Sequence, residues 1–340
     1  MRNTLFDRGV LRSQPFDMPI ISVGNIAVGG TGKTPHVEYL VRLLSEHWRL
    51  AVLSRGYKRR TKGFVLADNA STAYDIGDEP RQLKSKFPWL TVAVDADRCH
   101  GIRRLMKDTR TKGTQAIILD DAFQHRYVRP GLSIVLIAHN RLFGDRLLPA
   151  GRLREPMRNL RRADIIVVTK CPNGISEQEK ESAINEIRRH AQKPVFFSHM
   201  AYQDLEPIFC GEPAALGSLP ADMHVLLVTG IAHPGPLLTE VKKHFRHVRH
   251  MAYPDHHDFD TDDISGINRA FHALPAPRML ITTEKDAARL TAVGGLADEV
   301  RQAAWQLPIH VEMDNSEQFD RTILHYMNTT KSTMTNTKAQ

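Results

Sequence analysis

The stretch with the clearest chemical potential is GNIAVGGTGKTP, residues 24–35. Its late glycines let the backbone turn tightly, so that successive N–H groups can point at one anion. Lys33 is placed to reach the outer phosphates of a nucleotide, and Thr34 to offer its hydroxyl to Mg²⁺. Ala27 stands where a strict Walker A motif has glycine, but the phosphate-facing glycines are the later ones. The pattern therefore predicts a nucleotide-binding loop.

The surroundings of this loop support the prediction. An apolar, β-branched run at 19–25 indicates a buried strand before it, and apolar residues at helical spacing in 36–48 indicate an amphipathic helix after it. The alternative, a glycine-rich turn that binds nothing, leaves the Gly-Lys-Thr order at a helix N-terminus unexplained. The residues expected to surround the phosphates are Ala27, Val28, Gly29, Gly30, Thr31, Gly32, Lys33 and Thr34.

A second apolar run ends in two acids. Asp120 and Asp121 close the stretch QAIILDD, and the carboxyl ends of parallel strands face the crevice where ligands bind. One of the two carboxylates is expected to hold Mg²⁺, directly or through water. The alternative is a solvated strand end, which the neighbouring glycine-rich loop disfavours.

The elements that must position these groups alternate along the first 200 residues. Apolar strand-like runs are separated by segments of helical character such as 175–191. This order predicts an α/β fold of the P-loop NTPase type: a mostly parallel sheet with helices on both faces, followed by a second, smaller α/β domain. The predicted strands of the first part are 19–25, 50–57, 90–95, 115–121, 132–138, 163–170 and 194–199.

A change of composition near residue 205, rich in Pro, Gly and Ala, indicates the boundary between the two domains. We expect residues 1–204 to form the nucleotide-binding kinase domain and 205–330 the smaller domain, which would close over the active site. The polar, low-complexity end, 331–340, is expected to be disordered.

The overall composition is that of an ordinary globular protein, with 41% hydrophobic and 25% charged residues. No apolar run approaches the roughly 18 residues of a membrane-spanning helix. Three scattered cysteines indicate a reducing compartment without a disulfide or metal framework. The net charge of +8 is concentrated in residues 1–62, which carry +7, and in residues 141–162, which carry +5. Such clusters suit phosphates or an anionic membrane, or are simply solvated basic faces.

Seven blocks occur in a fixed order between residues 19 and 290: SVGNIAVGGTGKTPHVEYL, LSRGYKRR, GDEPRQL, AIILDDAFQHRYV, LPAGRLREP, YPDHHDF and TTEKDAARL. In this combination the chain resembles the tetraacyldisaccharide 4′-kinase family, in which the position of Ala27 is commonly Ser or Thr. The resemblance implies transfer of the γ-phosphate of ATP, with Mg²⁺, to the 4′-hydroxyl of a tetraacylated glucosamine disaccharide 1-phosphate. The product would be lipid IVA in lipid A biosynthesis.

The resemblance also implies a peripheral position at the cytoplasmic face of the inner membrane. We expect a monomer that binds no nucleic acid, since no nucleic-acid module is recognisable and aromatic residues make up only 7% of the chain. The N-terminal residues 1–18 predict either a short interfacial helix or a first turn packed on the core. The functional alternative is a regulatory P-loop ATPase that acts on a protein or nucleic-acid partner.

Phosphoryl transfer to a hydroxyl needs Lys33 for charge and a base for the acceptor. By analogy with the family, Asp78 is predicted to be the base or its partner, and Glu79 a metal-linked acid. The competing interpretation places both at a helix N-terminus, and Asp97 is a rival base. His256 resembles the family histidine that works with a carboxylate.

Three further positions are less sharply defined by the sequence. His257 adjoins His256, and the sequence does not separate the two. Glu155 is expected in the Mg²⁺ shell or at the substrate. Lys170 ends a predicted strand and is a candidate for contact with the nucleotide base.

Overall fold

A computed structural model of the chain describes residues 2–255 and 257–337. The strands are β1 Ile20–Asn25, β2 Leu50–Ser54, β3 Val65–Leu66, β4 Thr91–Val94, β5 Ala116–Asp120, β6 Leu132–Ala138, β7 Ile165–Thr169, β8 Val195–Tyr202, β9 Glu206–Pro207, β10 His224–Thr229, β11 His247–Ala252, β12 Arg278–Thr282, β13 Ala304–Gln306 and β14 Ile309–Met313.

The helices are α1 Arg2–Asp7, α2 Lys33–Ser45, α3 Ala73–Ile76, α4 Asp78–Lys86, α5 Arg98–Lys107, α6 Glu177–Arg188, α7 Gly235–His244, α8 Thr261–His272, α9 Glu284–Val293, α10 Asp298–Gln302 and α11 Ser316–Thr337. Among the helices of the described chain, none combines the length and apolar composition that crossing a membrane requires.

The larger unit is built on a nine-stranded sheet in the order β14-β8-β7-β6-β1-β5-β2-β4-β3. β1 lies between β5 and β6 and pairs parallel with both, and the short β3 pairs antiparallel with β4. Every residue of β1, β2, β5, β6 and β7 is buried, because helices cover both faces of the sheet. The predicted α/β class with a mostly parallel sheet is confirmed.

The two faces of this sheet carry separate apolar clusters. Ile118 of β5 points to the face covered by α2, α4 and α11, where it joins the cluster containing Leu40 and Ile323. Ile117, the preceding residue, points to the opposite face and clusters with Ile102 of α5. α6 covers that same face beside β7. Alternation along one strand thus fills two cores, as a doubly covered sheet requires.

The smaller unit spans residues 201–309 and has its own five-stranded sheet, in the order β11-β10-β12-β13-β9. β10 pairs parallel with β11 and β12, and β9 pairs antiparallel with β13. Fully buried Leu226 and Leu280 pack with Phe271 of α8 on one face of the sheet. This unit therefore has a hydrophobic core of its own.

The C-terminal segment belongs to the larger unit, whereas the predicted range 205–330 places it in the smaller domain. From residue 310 the chain returns to the larger unit, where β14 adjoins β8 and α11 packs on the core. The Phe319 ring of α11 lies 5.2 Å from that of Phe196. α11 continues to Thr337, so the expected disordered tail is helical through that residue, and 338–340 lie outside the described residues. A sequence in linear order does not reveal which sheet a late strand joins.

The N-terminal helix α1 is packed on the protein. Its Phe6 is buried, with the ring 5.0 Å from Tyr127 in an edge-to-face arrangement and the Arg126 guanidinium 4.9 Å above it. Arg126 also forms a 2.8 Å ion pair with Asp7. Of the two predictions for this segment, the burial of Phe6 agrees with the turn packed on the core, whereas Val10, which follows α1, is 67% exposed.

Candidate functional site

The glycine-rich loop connects the C-terminal end of β1 to the first turn of α2. Gly29 and Gly32 adopt φ values of 96° and 83°, the left-handed region that side chains with a Cβ rarely occupy. Gly32 is the residue immediately before α2, so the turn opens directly onto the N-terminal end of a 13-residue helix. This arrangement concentrates backbone N–H groups and the positive end of the helix at one point, as an anion site requires.

Hydrogen bonds from the ends of β1 and β7 hold the glycine-rich loop in place. The Asn25 side-chain amide donates to the Thr31 hydroxyl at 2.8 Å, in a buried position. The Thr169 hydroxyl, at the end of β7, donates to the Thr31 carbonyl at 2.8 Å. Gly24 is needed for a different reason, since a Cβ there would lie 2.6 Å from the Cβ of Phe123. The loop is thus held before any ligand arrives, which lowers the entropy cost of binding.

A buried histidine braces the other end of the loop. His36 Nδ1 lies 2.7 Å from the Gly32 carbonyl, to which it donates, and Nε2 accepts from the Ser198 hydroxyl at 2.9 Å. Burial lowers the pKa of His36 to about 4, although the bond to Gly32 acts in the opposite direction. The ring is therefore neutral near pH 7, with its proton on Nδ1.

The first residues of the loop pair with a distant segment. Val28 N–H donates to the Arg152 carbonyl at 2.7 Å, and Arg154 N–H donates to the Ile26 carbonyl at 2.7 Å. Ala27 lies opposite Leu153 in an isolated antiparallel bridge, and both side chains are buried in one apolar cluster. The Ala27 side chain therefore packs inward, which explains why this position does not require glycine.

Lys33 lies at the mouth of the loop beside the acids that follow β5. Its ammonium is 3.5 Å from an Asp121 carboxylate oxygen. Arg154 approaches both oxygens of the same carboxylate at 3.3 Å. Burial acts to raise the pKa of Asp121, but the charges of Lys33 and Arg154 outweigh it and hold that pKa below its ordinary value. Asp121 is thus ionised and orients Lys33 toward the loop.

Asp120 has a different environment. It is 4% exposed, and one carboxylate oxygen accepts from the Ser54 hydroxyl at 3.2 Å. The other oxygen is buried and has no hydrogen-bond partner among the described residues. Burial and the charge of Asp121 raise the pKa of Asp120 to about 6, Glu79 adding to the effect and Lys33 opposing it. A buried carboxylate oxygen without a partner is the place where a hard cation, or water bound to one, fits best.

The predicted magnesium ligands are only partly brought together. Among the described residues, no three His, Cys, Asp or Glu side chains form a metal-binding group. Thr34 is buried at the first turn of α2, and Asp120 offers its free oxygen. These two suit a site completed by phosphate oxygens and water. The charge of Glu79 helps to raise the pKa of Asp120, and its role as a metal-linked acid stays a prediction.

Glu155 has two partners in the structure, and its predicted place in the Mg²⁺ shell or at the substrate stays a prediction. Its carboxylate is buried and accepts from the Asn159 amide at 2.7 Å. The same oxygen forms an ion pair with Arg162. Burial lowers the pKa of Arg162, while the charge of Glu155 acts to restore it. Glu155 and Arg162 thus form an ion pair next to the segment that contacts Ala27 and Val28.

The candidate bases occupy two different helix starts. Asp78 and Glu79 are half-buried in the first turn of α4, directly after Gly77 at φ 92°. A Cβ on Gly77 would lie 2.9 Å from the Tyr57 carbonyl, so the close approach requires glycine. The rival Asp97 caps α5, its carboxylate accepting the His100 N–H at 3.1 Å. This capping bond gives Asp97 a structural task, and Asp78 also stands at a helix N-terminus, as its competing interpretation predicts.

The two candidate histidines, His256 and His257, adjoin each other in the sequence. His256 lies outside the described residues. His257 Nε2 is 2.6 Å from an Asp263 carboxylate oxygen, and its ring stacks on Tyr253 at 4.8 Å. Burial acts to raise the pKa of Asp263, but the bond to His257 helps to bring it below the ordinary value. Asp263 also accepts the Asp260 N–H at 3.1 Å in a helix capping box, so His257 is tied to a structural group.

Two cations lie near the loop: Lys170, predicted to contact the nucleotide base, and Arg141, the first residue of the basic cluster 141–162. The Lys170 ammonium lies 3.7 Å from the point where a Cβ on Gly30 would stand, and the Arg141 guanidinium 3.9 Å from the equivalent point on Gly29. Burial lowers the pKa of Lys170, and the charge of Arg141 adds to this. Lys170 thus flanks the phosphate loop. The sequence signal for Lys170 is its position after a strand, and that for Arg141 is only its place in the basic cluster 141–162.

The comparisons with known proteins agree closely. A family sequence model described as "Tetraacyldisaccharide-1-P 4'-kinase" matches residues 1–328. A "Tetraacyldisaccharide 4'-kinase" of Parabacteroides distasonis is 50% identical over 334 residues, covering 96% of this chain and 90% of the relative. One of Phocaeicola vulgatus is 46% identical, covering 96% and 91%. A crystal structure of LpxK from Aquifex aeolicus in complex with ATP superposes with a TM-score of 0.73 at 30% identity, covering 96% of this chain and 94% of that one.

Proposed function

The chain belongs to the tetraacyldisaccharide-1-P 4′-kinase family, and from this premise we propose that it transfers the γ-phosphate of ATP to the 4′-hydroxyl of a tetraacylated glucosamine disaccharide 1-phosphate. The observation that carries the proposal is the pairing of Lys33 with Asp121 at the mouth of a braced, glycine-rich loop. The alternative of a regulatory ATPase is not favoured, because the family match extends over both units of the chain.

The phosphates of ATP would occupy the turn formed by residues 27–34. Backbone N–H groups and the N-terminal end of α2 neutralise their charge without reorganisation. Lys33 exchanges its partner Asp121 for the β- and γ-phosphate oxygens, and Lys170 and Arg141 add positive charge at the two glycines they flank. These contacts strengthen as charge moves onto the transferring group, which is the condition for catalysis.

Magnesium fits the residues present, although its binding is a proposal. The Thr34 hydroxyl and the free oxygen of Asp120 would hold the ion, directly or through water. When bound, Mg²⁺ neutralises charge on the phosphates and orients them for transfer. Ser54 fixes the second oxygen of Asp120. Asp121 keeps its bond to Arg154 when Lys33 turns to the phosphates.

Asp78 is the proposed base toward the acceptor hydroxyl. It stands in the first turn of α4, where the close approach of Gly77 to Tyr57 fixes the backbone. Glu79, the next residue, contributes to the electrostatic environment of Asp120. The participation of His256 stays a prediction, as do the monomeric state and the cytoplasmic face of the inner membrane as the site of action.

A transfer assay tests the proposal. The chain is incubated with γ-labelled ATP, Mg²⁺ and tetraacyldisaccharide 1-phosphate in detergent micelles, beside Lys33→Ala and, as a control for a lost surface charge, Lys62→Ala. Label on the lipid with the native chain and Lys62→Ala, and none with Lys33→Ala, is the expected result. Release of labelled phosphate without any labelled lipid would leave an ATPase and remove the kinase.

A further inference from the structure

The segment that braces the glycine-rich loop exposes large apolar side chains. In the loop formed by residues 143–152, Phe143 is 55% exposed, Leu147 46% and Leu148 51%. Pro149 and Ala150, which follow, are exposed as well. Single exposed apolar residues are normal on a protein surface, whereas several in one short loop mark a site of contact.

The backbone of the 143–152 loop is fixed by its own hydrogen bonds. Leu148 N–H donates to the Leu153 carbonyl at 2.9 Å, and Gly151 N–H to the Leu147 carbonyl at 3.1 Å. One Asp145 carboxylate oxygen accepts the backbone N–H groups of Arg146 at 2.8 Å and Arg152 at 3.0 Å. The apolar tip is thus held outward by a closed turn and is presented to whatever lies beyond the surface.

Positive charge surrounds this apolar tip. Arg146 and Arg152 are exposed, and residues 141–162 together carry +5. A concavity of about 400 Å³ beside the tip is lined by Arg141, Arg152 and Phe143 among others. Guanidinium groups pair with phosphate oxygens, and leucines gain free energy on entering the acyl boundary. Apolar side chains between arginines therefore complement the surface of an anionic bilayer.

The same loop is coupled to the nucleotide site. The carbonyl of Arg152 accepts from Val28 of the glycine-rich loop at 2.7 Å. Two residues further on, Arg154 contacts Asp121, the partner of Lys33. A surface bound at 143–152 would lie next to the segment that shapes the phosphate site, where a lipid acceptor must arrive.

We propose that the 143–152 loop docks on an anionic lipid bilayer, with Leu147 and Leu148 inserted at the acyl boundary and the neighbouring arginines on lipid phosphates. The choice of a bilayer as the occupant rests on the proposed lipid-kinase function. In the N-terminal segment Phe6 is packed on the protein, and the exposed Val10 is a single rival to the three large apolar side chains of the 143–152 loop.

Vesicle sedimentation tests the docking without ATP or acceptor. The native chain is expected to bind phosphatidylglycerol-containing vesicles and to bind pure phosphatidylcholine weakly. Leu147→Ser/Leu148→Ser should weaken the binding about tenfold, and Arg146→Gln by a smaller factor that vanishes at high salt. Trp89→Ser, which removes another exposed apolar side chain, and Arg188→Gln, which removes an exposed charge on α6, should bind as the native chain does.

Equal binding of the native chain and the double leucine variant would overturn the proposal, as would a native chain that binds no vesicle. A loss seen only with Val10→Ser would transfer the docking to the N-terminal segment. Unchanged ATP binding by the double variant serves as the check on folding. If the native chain binds the vesicles as expected but does not phosphorylate the tetraacyldisaccharide acceptor, the kinase proposal fails and the docking proposal stands.

A label reports insertion directly. In a Cys210→Ser background, which removes the exposed cysteine, Leu148→Cys and the control Trp89→Cys each carry an environment-sensitive dye. We expect a blue shift and a rise in intensity on adding anionic vesicles for the label at 148 only. An unchanged spectrum at 148 while the protein sediments with the vesicles would show that the loop stays outside the bilayer.

Discussion

The Lys33 ammonium lies 3.5 Å from an Asp121 carboxylate oxygen, at the point where the end of β5 faces the first residue of α2. The same carboxylate contacts Arg154, which follows the segment paired with the glycine-rich loop. Lysine, acid and loop therefore form one connected group. Asp121 therefore holds Lys33 in place, and Lys33 can turn from it to the phosphates of a nucleotide that binds to the loop.

Loss of Lys33 should remove catalysis more than binding. Lys33→Met is expected to lower kcat by roughly 10²–10³-fold, because the lysine charge matters most when charge builds on the transferring phosphoryl group. Steady-state kinetics with varied ATP would measure this, with Lys62→Met as the control for an exposed lysine. A kcat within about threefold of the native value would exclude the assigned role.

Substitutions of Asp120 and Glu155 should have different effects, because Asp120 is a proposed Mg²⁺ ligand and Glu155 is paired with Arg162. Asp120→Asn should raise the half-saturating Mg²⁺ concentration by at least about tenfold, because the free oxygen of Asp120 loses its charge. Glu155→Gln should leave that concentration unchanged and instead destabilise the fold by about 3 kcal/mol, since the largely buried pair of Glu155 and the half-buried Arg162 is broken. Activity against Mg²⁺ and urea unfolding distinguish the two. The reverse pattern would place Glu155 in the metal site.

Asp78 and Asp97 should respond differently to the same substitution. Asp78→Ala is expected to lower kcat by roughly 10²–10⁴-fold while ATP still binds, the range typical of a lost general base. Asp97→Ala should cost about 1 kcal/mol of stability through its lost helix cap and change kcat little. Single-turnover transfer and thermal unfolding of both variants provide the measurement. A catalytic loss confined to Asp97→Ala would exchange their roles.

His36 should make stability depend on pH in a defined direction. Its pKa is about 4 in the folded protein against an ordinary 6.5, so the unfolded chain binds the proton more readily. Stability is therefore complete above pH 6.5 and falls as the pH decreases toward 4. Between pH 7 and 5 the native chain should lose about 2 kcal/mol more than His36→Gln, measured by urea unfolding. Parallel pH profiles would contradict a neutral, buried His36.

Several elements could be predicted because their signal is local. β6 has the predicted bounds 132–138, since an uninterrupted apolar run identifies a strand covered on both faces. β11, HVRHMA, lacks such a run because it lies at an edge of its sheet and is only partly buried, so that pairing with β10 rather than composition makes it a strand. β14 looks like a strand of the smaller unit in linear order, and only long-range pairing places it beside β8.

The same distinction holds at the site. Lys33 and Thr34 are identified by spacing within one turn, and Asp120 by its place at a strand end. The contact of Arg154 with Asp121 and the bridge from Leu153 to Ala27 join segments far apart in the chain. The ion pair of Glu155 with Arg162 could not be predicted either, because no short motif specifies the distance between them along the chain.

Phosphorus NMR of the reaction product tests the central proposal most directly. The chain, ATP, Mg²⁺ and tetraacyldisaccharide 1-phosphate in micelles should give a second phosphomonoester, assigned to the 4′ position by its coupling to the sugar proton. An acceptor that lacks the 4′-hydroxyl should give none. ATP consumption that yields only inorganic phosphate, with the acceptor unchanged, would contradict the proposed transfer.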